Sequence, residues 1–211
     1  MCSATDTSVV QDLSRYISIL KLSEEWDMAE AKAFAKKAIE TTFWTANQHT
    51  RLIGVAFRYD IPSWFQESFK TLVRRRVTEF TVADTEAIGL RTMMAIVKTR
   101  DAIDHHKKLL AHSPPPIQHT KRCVGLNRNP CASAYEDLWW KHVGKALLDP
   151  QVPIQCWNVP SLMEKITPVG MGDGCLQRTR KWLLNHGVLK ADEDIIEGTV
   201  RKLLALNGGV L

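Results

Sequence analysis

The stretch Ala56-Phe57-Arg58-Tyr59-Asp60-Ile61-Pro62-Ser63-Trp64-Phe65 leaves little freedom to the chain around it. Upstream, Leu52, Ile53, Val55 and Ala56 recur at helical spacing. Pro62 fixes its own φ and disfavours the α conformation at Ile61. One helix must therefore stop near Tyr59. A second can start at Pro62, since a proline fits the first helical position. Asp60 lies just before that start, where its charge suits the positive end of the new helix. Trp64 and Phe65 follow, so large apolar surface anchors the second helix in its first turn. Such a joint sets an angle between two helices and performs no chemistry, which points to a scaffold.

The same periodicity reads through the chain as an all-α protein, a helical bundle or solenoid-like array in two packed halves. Residues 1–7 read as a disordered tail. Ser8 with Gln11 fits a capping box, and Leu13, Tyr16, Ile17 and Leu20 mark a helix reaching Trp26. Asp27 is expected to cap a second helix with the stripe Met28, Ala31, Phe34, Ala35, Ala38 and Thr42. A third helix runs from about Thr45 to Tyr59. The fourth carries Phe65, Phe69, Leu72 and Val73 inward and ends in Arg74-Arg75-Arg76. Thr81 with Asp84 forms another capping box, opening a short helix that stops at Gly89. Leu90 opens a long helix to about His112, with Met93, Met94, Ile96, Val97, Ile103 and Leu110 inward.

Ser113-Pro114-Pro115-Pro116 ends that helix, because three prolines cannot continue it. Residues 113–131 read as a proline-rich linker between a helical domain at 8–112 and a C-terminal helical subdomain at 132–211. In the latter, Tyr135, Leu138, Trp139, Val143, Ala146 and Leu147 predict one continuous helix. Pro160 opens a short helix, Gly170-Met171-Gly172-Asp173-Gly174 is a turn, and Leu176 to Leu183 lie on a helix with Gly187 as its C-cap. Asp192 is expected to cap the last helix. Period-2 alternation never lasts, so no strand is expected.

Composition narrows the class. The chain of 211 residues is 45% hydrophobic and 24% charged, ordinary for a globular protein. No run approaches a membrane span, and no signal-peptide pattern opens the chain. Five scattered cysteines favour reduced thiols, and so a cytoplasmic or nuclear setting, over a disulfide framework. The net charge of +5 permits an acidic partner without demanding one.

Candidate chemistry is sparse. His119, Cys123 and Cys131 share one irregular stretch, but only His119-x3-Cys123 approaches zinc-ligand spacing. Two loop thiols, with Cys156 and Cys175 as small core residues, is the blander reading and the favoured one. Asp101 and Asp104 lie one helical turn apart and could hold Mg²⁺. No second acidic motif follows, and a solvated face beside Arg100, Lys107 and Lys108 explains them as well. The glycine turn lacks the strand and Lys-Ser/Thr pair of a phosphate loop. Nucleophile motifs are missing, so no cofactor and no catalytic residue is expected. The basic clusters Arg74, Arg75, Arg76 and Lys121, Arg122 would suit an anionic partner if they converged. Dispersed helix-end charges are the commoner cause, and nucleic acid is an unlikely partner. Most of the seven tryptophans fall on apolar stripes as core anchors. Trp139 and Trp140 are adjacent, so one helix face cannot bury both. Trp140, and Trp157 in a loop, are therefore the candidate exposed anchors.

Asp12 to Arg100 resembles the helical region that follows the BTB/POZ domain in fungal, mainly basidiomycete, BTB-domain proteins. Ile19-Leu20-Lys21-Leu22-Ser23-Glu24-Glu25-Trp26, Ala31 to Ile39, Val55 to Phe65 and Phe80 to Arg100 match its successive phrases. Trp139 to Pro150 and Gly187 to Ile196 match its later ones. The BTB domain itself is absent from this sequence, so the family's dimerisation surface is not carried over. The resemblance implies a non-enzymatic protein–protein interaction module, with another protein or a second copy as partner. Its alternatives are an all-α enzyme or small-molecule binder using a pocket between the halves, and a binder of nucleic acid.

Overall fold

The computed structural model describes residues 4–42, 48–124, 130–152, 154–166 and 169–207; the side chains of residues 4–12, 42, 122, 124, 130 and 173 lie outside that description. Every element among the described residues is helical, and none of the helices is long and apolar enough to cross a membrane. The chain divides into two compact units, Met1–Ile96 with Lys202–Leu211, and Val97–Arg201.

In the first unit, α1 (Ala4–Glu25) packs on α2 (Ala29–Thr42), and α3 (His49–Arg58) packs on α4 (Pro62–Arg74) and α5 (Val82–Ile88). The expected start of the third helix at Thr45 falls outside the described residues. The α1–α2 and α3–α4 corners are built alike. Asp27 and Asp60 take left-handed backbone angles, with φ of 50° and 48°. The next amide then turns back on the helix just finished: Met28 N–H donates to Ser23 O at 2.8 Å, and Ile61 N–H to Ala56 O at 2.9 Å. These are the closing bonds of a helix C-terminus. Both aspartates therefore end the outgoing helix instead of capping the incoming one. A short polar side chain tolerates the left-handed region where most residues do not. Pro62 then opens α4 directly after Ile61.

The inner faces follow from periodicity, with shifts. Leu13, Leu20, Ala35, Ile39, Leu52, Phe65, Phe69 and Leu72 are fully buried. Each large one contributes about 1.5–3 kcal/mol by leaving water. Trp64 is buried too, and its Nε1 donates to Glu40 Oε1 at 2.9 Å. The stripe expected on α2 is rotated, however: Ala35 and Ile39 point in, while Met28 and Phe34 are exposed. Trp26, expected in the core, is 73% exposed. Gly54 is where α5 comes close, since a Cβ there would lie 2.6 Å from Ala87 O. The capping box at α5 is complete: Asp84 N–H donates to Thr81 Oγ1 at 3.1 Å and Thr81 N–H to Asp84 Oδ2 at 3.0 Å. The backbone amide of Thr81 is the main reason the Asp84 carboxyl lies below the ordinary carboxylate range.

The second unit takes its frame from the end of α6 (Leu90–His112). Along α6 the inward row is Thr92, Ile96, Thr99 and Ile103. Met94 and Val97, expected inward, are exposed. Pro114 has no N–H to offer the carbonyl of Leu110, four residues back. The indole of Trp139 supplies the donor, Nε1 to Leu110 O at 3.0 Å. Trp139 follows α8 (Pro130–Leu138) and opens a π-helical turn, Trp139–Gly144, which runs into α9 (Lys145–Leu147). One continuous α-helix was expected there. The π turn instead closes with Lys145 N–H on Trp140 O, five residues back. Gly144 leaves room beside Ala111, whose carbonyl would lie 3.1 Å from an added Cβ.

The prolines do not separate the units; residues 113–131 lie inside the second. After α7 (Lys121–Val124) and α8–α9 come a 3₁₀ turn at Cys156–Asn158, α10 (Val159–Glu164) and α11 (Asp173–Asn185). Gln118 N–H donates to Thr179 Oγ1 on α11 at 2.8 Å, so the extended strap is bonded to a helix. An extended segment against a core needs such partners, because a buried amide without one is costly. Gly187, at φ 70°, leads into α12 (Ala191–Asn207). Asp192, expected to cap α12, instead lies inside its first turn and is buried.

Candidate metal centre

Three pieces of the second unit bring sulfur and imidazole together. His119 lies in the extended strap two residues before α7, and Cys123 is the third residue of α7. Cys131 is the second residue of α8, and Cys175 the third residue of α11. Cys123 Sγ lies 3.5 Å from His119 Nδ1 and 3.4 Å from Cys131 Sγ. One ligand atom from each of His119, Cys123, Cys131 and Cys175 lies within 4.8 Å of every other. Cys131 and Cys175 are buried in the apolar core; His119 and Cys123 are partly exposed at its edge.

The backbone explains how α7 and α11 come so close. Thr120 N–H donates to Cys175 Sγ at 3.3 Å, and the Thr120 hydroxyl lies 3.7 Å from the same sulfur. Gly174 makes the approach possible, since a Cβ there would lie 3.0 Å from Thr120 Cγ2. Both Cys131 and Cys175 sit in first helical turns, where the positive end of the helix favours a thiolate. Burial pushes the Cys175 thiol up, but the Thr120 amide, the Thr120 hydroxyl and the two neighbouring thiols outweigh it and leave it below its usual value. The Cys123 thiol is raised to about 11, first by its hydrogen bond to Cys131 and then by burial. Together the four groups offer one thiolate-stabilising position and three soft or borderline donors beside it.

Sequence spacing had offered His119, Cys123 and Cys131 only as weak metal candidates, and Cys175 as a core residue. All four now share one site. Cys175 lies 55 residues from Thr120, whose amide holds it, so no short spacing rule could have found it.

A second group is different in kind. His106, Cys156 and Asp192 also place donor atoms within 4.8 Å of one another. Cys156 is fully buried, and burial first, then the charge of Asp192, push its thiol to about 12. A thiol that stays protonated near neutral pH is a poor nucleophile despite the nearby imidazole and carboxylate. Lys107, buried beside it and donating Nζ to Gln155 Oε1 at 3.2 Å, already brings a positive charge.

The remaining candidates lie outside both donor groups. Asp101, Asp104 and His105 are exposed on α6 and belong to neither donor group. Trp140 is 42% exposed and stacks on His112 at 5.2 Å between ring centres. Trp157 is 40% exposed in the 3₁₀ turn. Arg75 is engaged by its own surroundings: Nη2 donates to Glu79 O at 2.7 Å, and its guanidinium lies 4.9 Å from the Phe80 ring centre. Arg74 and Arg76 are exposed in the first unit, whereas Lys121 is exposed in the second. The side chain of Arg122 lies outside the described residues. Among the described residues, one open groove lies in the first unit beside Arg51, Arg58 and Glu86, and another in the second beside Asp137, Lys141 and His142. Neither is lined by the sulfur cluster. No family model, curated protein or solved structure matches the chain.

Proposed function

We propose that the chain is a non-enzymatic protein–protein interaction module, related to the helical region of fungal BTB-domain proteins. The observation that carries this reading is the α1–α2 corner. Trp26, 73% exposed, projects there with Leu22 and Met28, both about half exposed. Leu22 and Trp26 are one turn apart and share a face. The left-handed Asp27 and its closing hydrogen bonds hold the corner in place. A large aromatic on a rigid support loses little entropy on being covered, which is what a binding anchor needs. Farther along the same helix pair, Phe34 is exposed and meets Tyr16 at 6.0 Å between ring centres. Trp140 and Trp157 are weaker anchors, each already partly covered.

The enzyme reading needs acids and imidazoles converging in a cleft. The solvent-facing Asp101, Asp104 and His105 and the protonated thiol of Cys156 weigh against it. The anionic-partner reading needs basic side chains in one place, and Arg75 is spent on its own turn.

The test uses the full chain as bait in native extract beside a Trp26→Asp variant, with partners identified by mass spectrometry. Trp26 touches little of the core, so circular dichroism and melting should be unchanged. One protein enriched on the wild type and reduced at least tenfold on the variant is the expected result. Equal recovery by both baits would refute the role of the corner. Sedimentation of the isolated chain separates self-association, which the variant would abolish, from a heterologous partner.

A further inference from the structure

We propose that His119, Cys123, Cys131 and Cys175 bind one structural Zn²⁺ ion. Zinc–sulfur bonds of about 2.3 Å and zinc–nitrogen bonds of about 2.0–2.1 Å at tetrahedral angles place sulfurs about 3.8 Å apart, and sulfur about 3.6 Å from nitrogen. The pair Cys123 Sγ and His119 Nδ1, at 3.5 Å, already stands at that separation. The Cys123 and Cys131 sulfurs, at 3.4 Å, need to part by only a few tenths of an ångström. The donor set decides the metal. Three thiolates and one imidazole form a soft, four-ligand shell of the kind that closes around zinc, while calcium and magnesium require oxygen.

Three features of the fold suit this site. Cys131 and Cys175 enter from two separate helix N-termini, so two positive helix ends face the negative charge that three thiolates would concentrate. Thr120 donates its amide to Cys175 Sγ, a hydrogen bond that orients a metal-ligating thiolate. Gly174, beside that ligand, removes the one Cβ that would hold α11 away. A Cys123–Cys131 disulfide would use two of the sulfurs and leave His119 and Cys175 without purpose. With all four positions filled by protein, no site remains for water or substrate, so the ion is structural. It would tie the strap after α6 and the first turns of α8 and α11 to one point. The site is independent of the α1–α2 corner and stands or falls separately from it.

The experiment is metal analysis of the full chain purified without chelator, with native mass spectrometry of the same sample. One zinc per chain is expected. Cobalt alone, added to the metal-free chain, should give the thiolate charge-transfer and ligand-field bands of a tetrahedral site. Cys175→Ser should weaken zinc binding roughly 100-fold, the share of one ligand in four. Because that variant could also fail to fold, His119→Cys provides the complementary test. It should retain one zinc and strengthen the cobalt charge-transfer band. Cys2→Ser and Cys156→Ser should leave zinc content unchanged. A folded wild-type chain without zinc, with its thiols titrating freely or with Cys123 and Cys131 oxidised to a disulfide, would overturn the proposal. So would zinc that survives Cys175→Ser but departs with Cys156→Ser.

Discussion

In the first unit α1 and α3 end on their own residues: Asp27 and Asp60 turn left-handed, and an amide five residues beyond the carbonyl it meets closes each helix. In the second unit α6 ends on a borrowed group, the indole of Trp139, which lies 29 residues away from the carbonyl it satisfies. The strap that follows is likewise held by Thr179 and Cys175, 61 and 55 residues from their partners. A local ending forms as soon as its helix forms. A remote ending forms only when several elements have already assembled, and the chain entropy of gathering them must be overcome first. The first unit is therefore stabilised corner by corner. The second is stabilised as a network, in which one lost member loosens the rest.

The largest effect should come from Trp139. Trp139→Ala removes a fully buried indole and leaves the Leu110 carbonyl without its donor. A loss of about 3–5 kcal/mol is expected from the cavity alone. Trp139→Phe keeps most of the volume and isolates the hydrogen bond, at about 1–3 kcal/mol. Urea titration measures both. Hydrogen exchange should show the Phe variant losing protection in α8 and in the last turn of α6, with α3 and α4 unchanged. If Trp139→Phe is as stable as the wild type, the borrowed ending contributes nothing and the contrast between the units fails.

Gly54→Ala probes the opposite case, close packing in the locally built unit. The added Cβ would press on the Ala87 carbonyl, which is backbone and cannot rotate away. An overpacking cost of about 1–3 kcal/mol is expected, read as a lower denaturation midpoint. Protection should fall at α3 and α5 and nowhere in the second unit. A neutral outcome would mean that α5 is loosely seated and that the first unit is less tightly built than its buried side chains suggest.

What the sequence revealed divides along the same line. Pro62, the Thr81–Asp84 box, Gly89 and the triple proline act within a few residues, so helix positions and the all-α class could be read directly from them. The readings that failed depended on distant partners. The rotation of the α2 stripe, which turns Phe34 outward, is decided by what covers Ala35 and Ile39. Asp192 is placed beside His106 and Cys156, not at the cap of the helix it was expected to open. Nor does apolar periodicity distinguish a π turn from an α turn at Trp139–Gly144, because Trp139 is inward in both. The sulfur cluster was half legible: His119, Cys123 and Cys131 share a stretch, but the fourth donor arrives on α11. Only Asp27 and Asp60 break the pattern. Both are local, and Asp27 ends α1 where it was expected to cap α2, because an aspartate between two helices serves equally as the cap of the next or the left-handed end of the last.

That ambiguity gives the smallest and most discriminating test. If Asp60 were chosen for its charge at the start of α4, Asp60→Gly should destabilise the protein, and Asp60→Asn should do so through the lost charge. If it is there to occupy a φ of 48°, Gly relieves the strain of a left-handed residue while adding freedom to the unfolded chain. Those two terms nearly balance, so Asp60→Gly should change stability by less than about 1 kcal/mol, in the stabilising direction. Asn, which tolerates the same angles, should be neutral. Asp60→Val should cost more than either, because a β-branched residue is strained at positive φ. The same series at Asp27 should give the same order, since the two corners share one geometry. A charge-driven order at both positions, with Gly and Asn equally damaging, would show that these corners owe their angle to packing, joined at the second corner by Pro62, and that the first unit too finishes its helices with help from elsewhere.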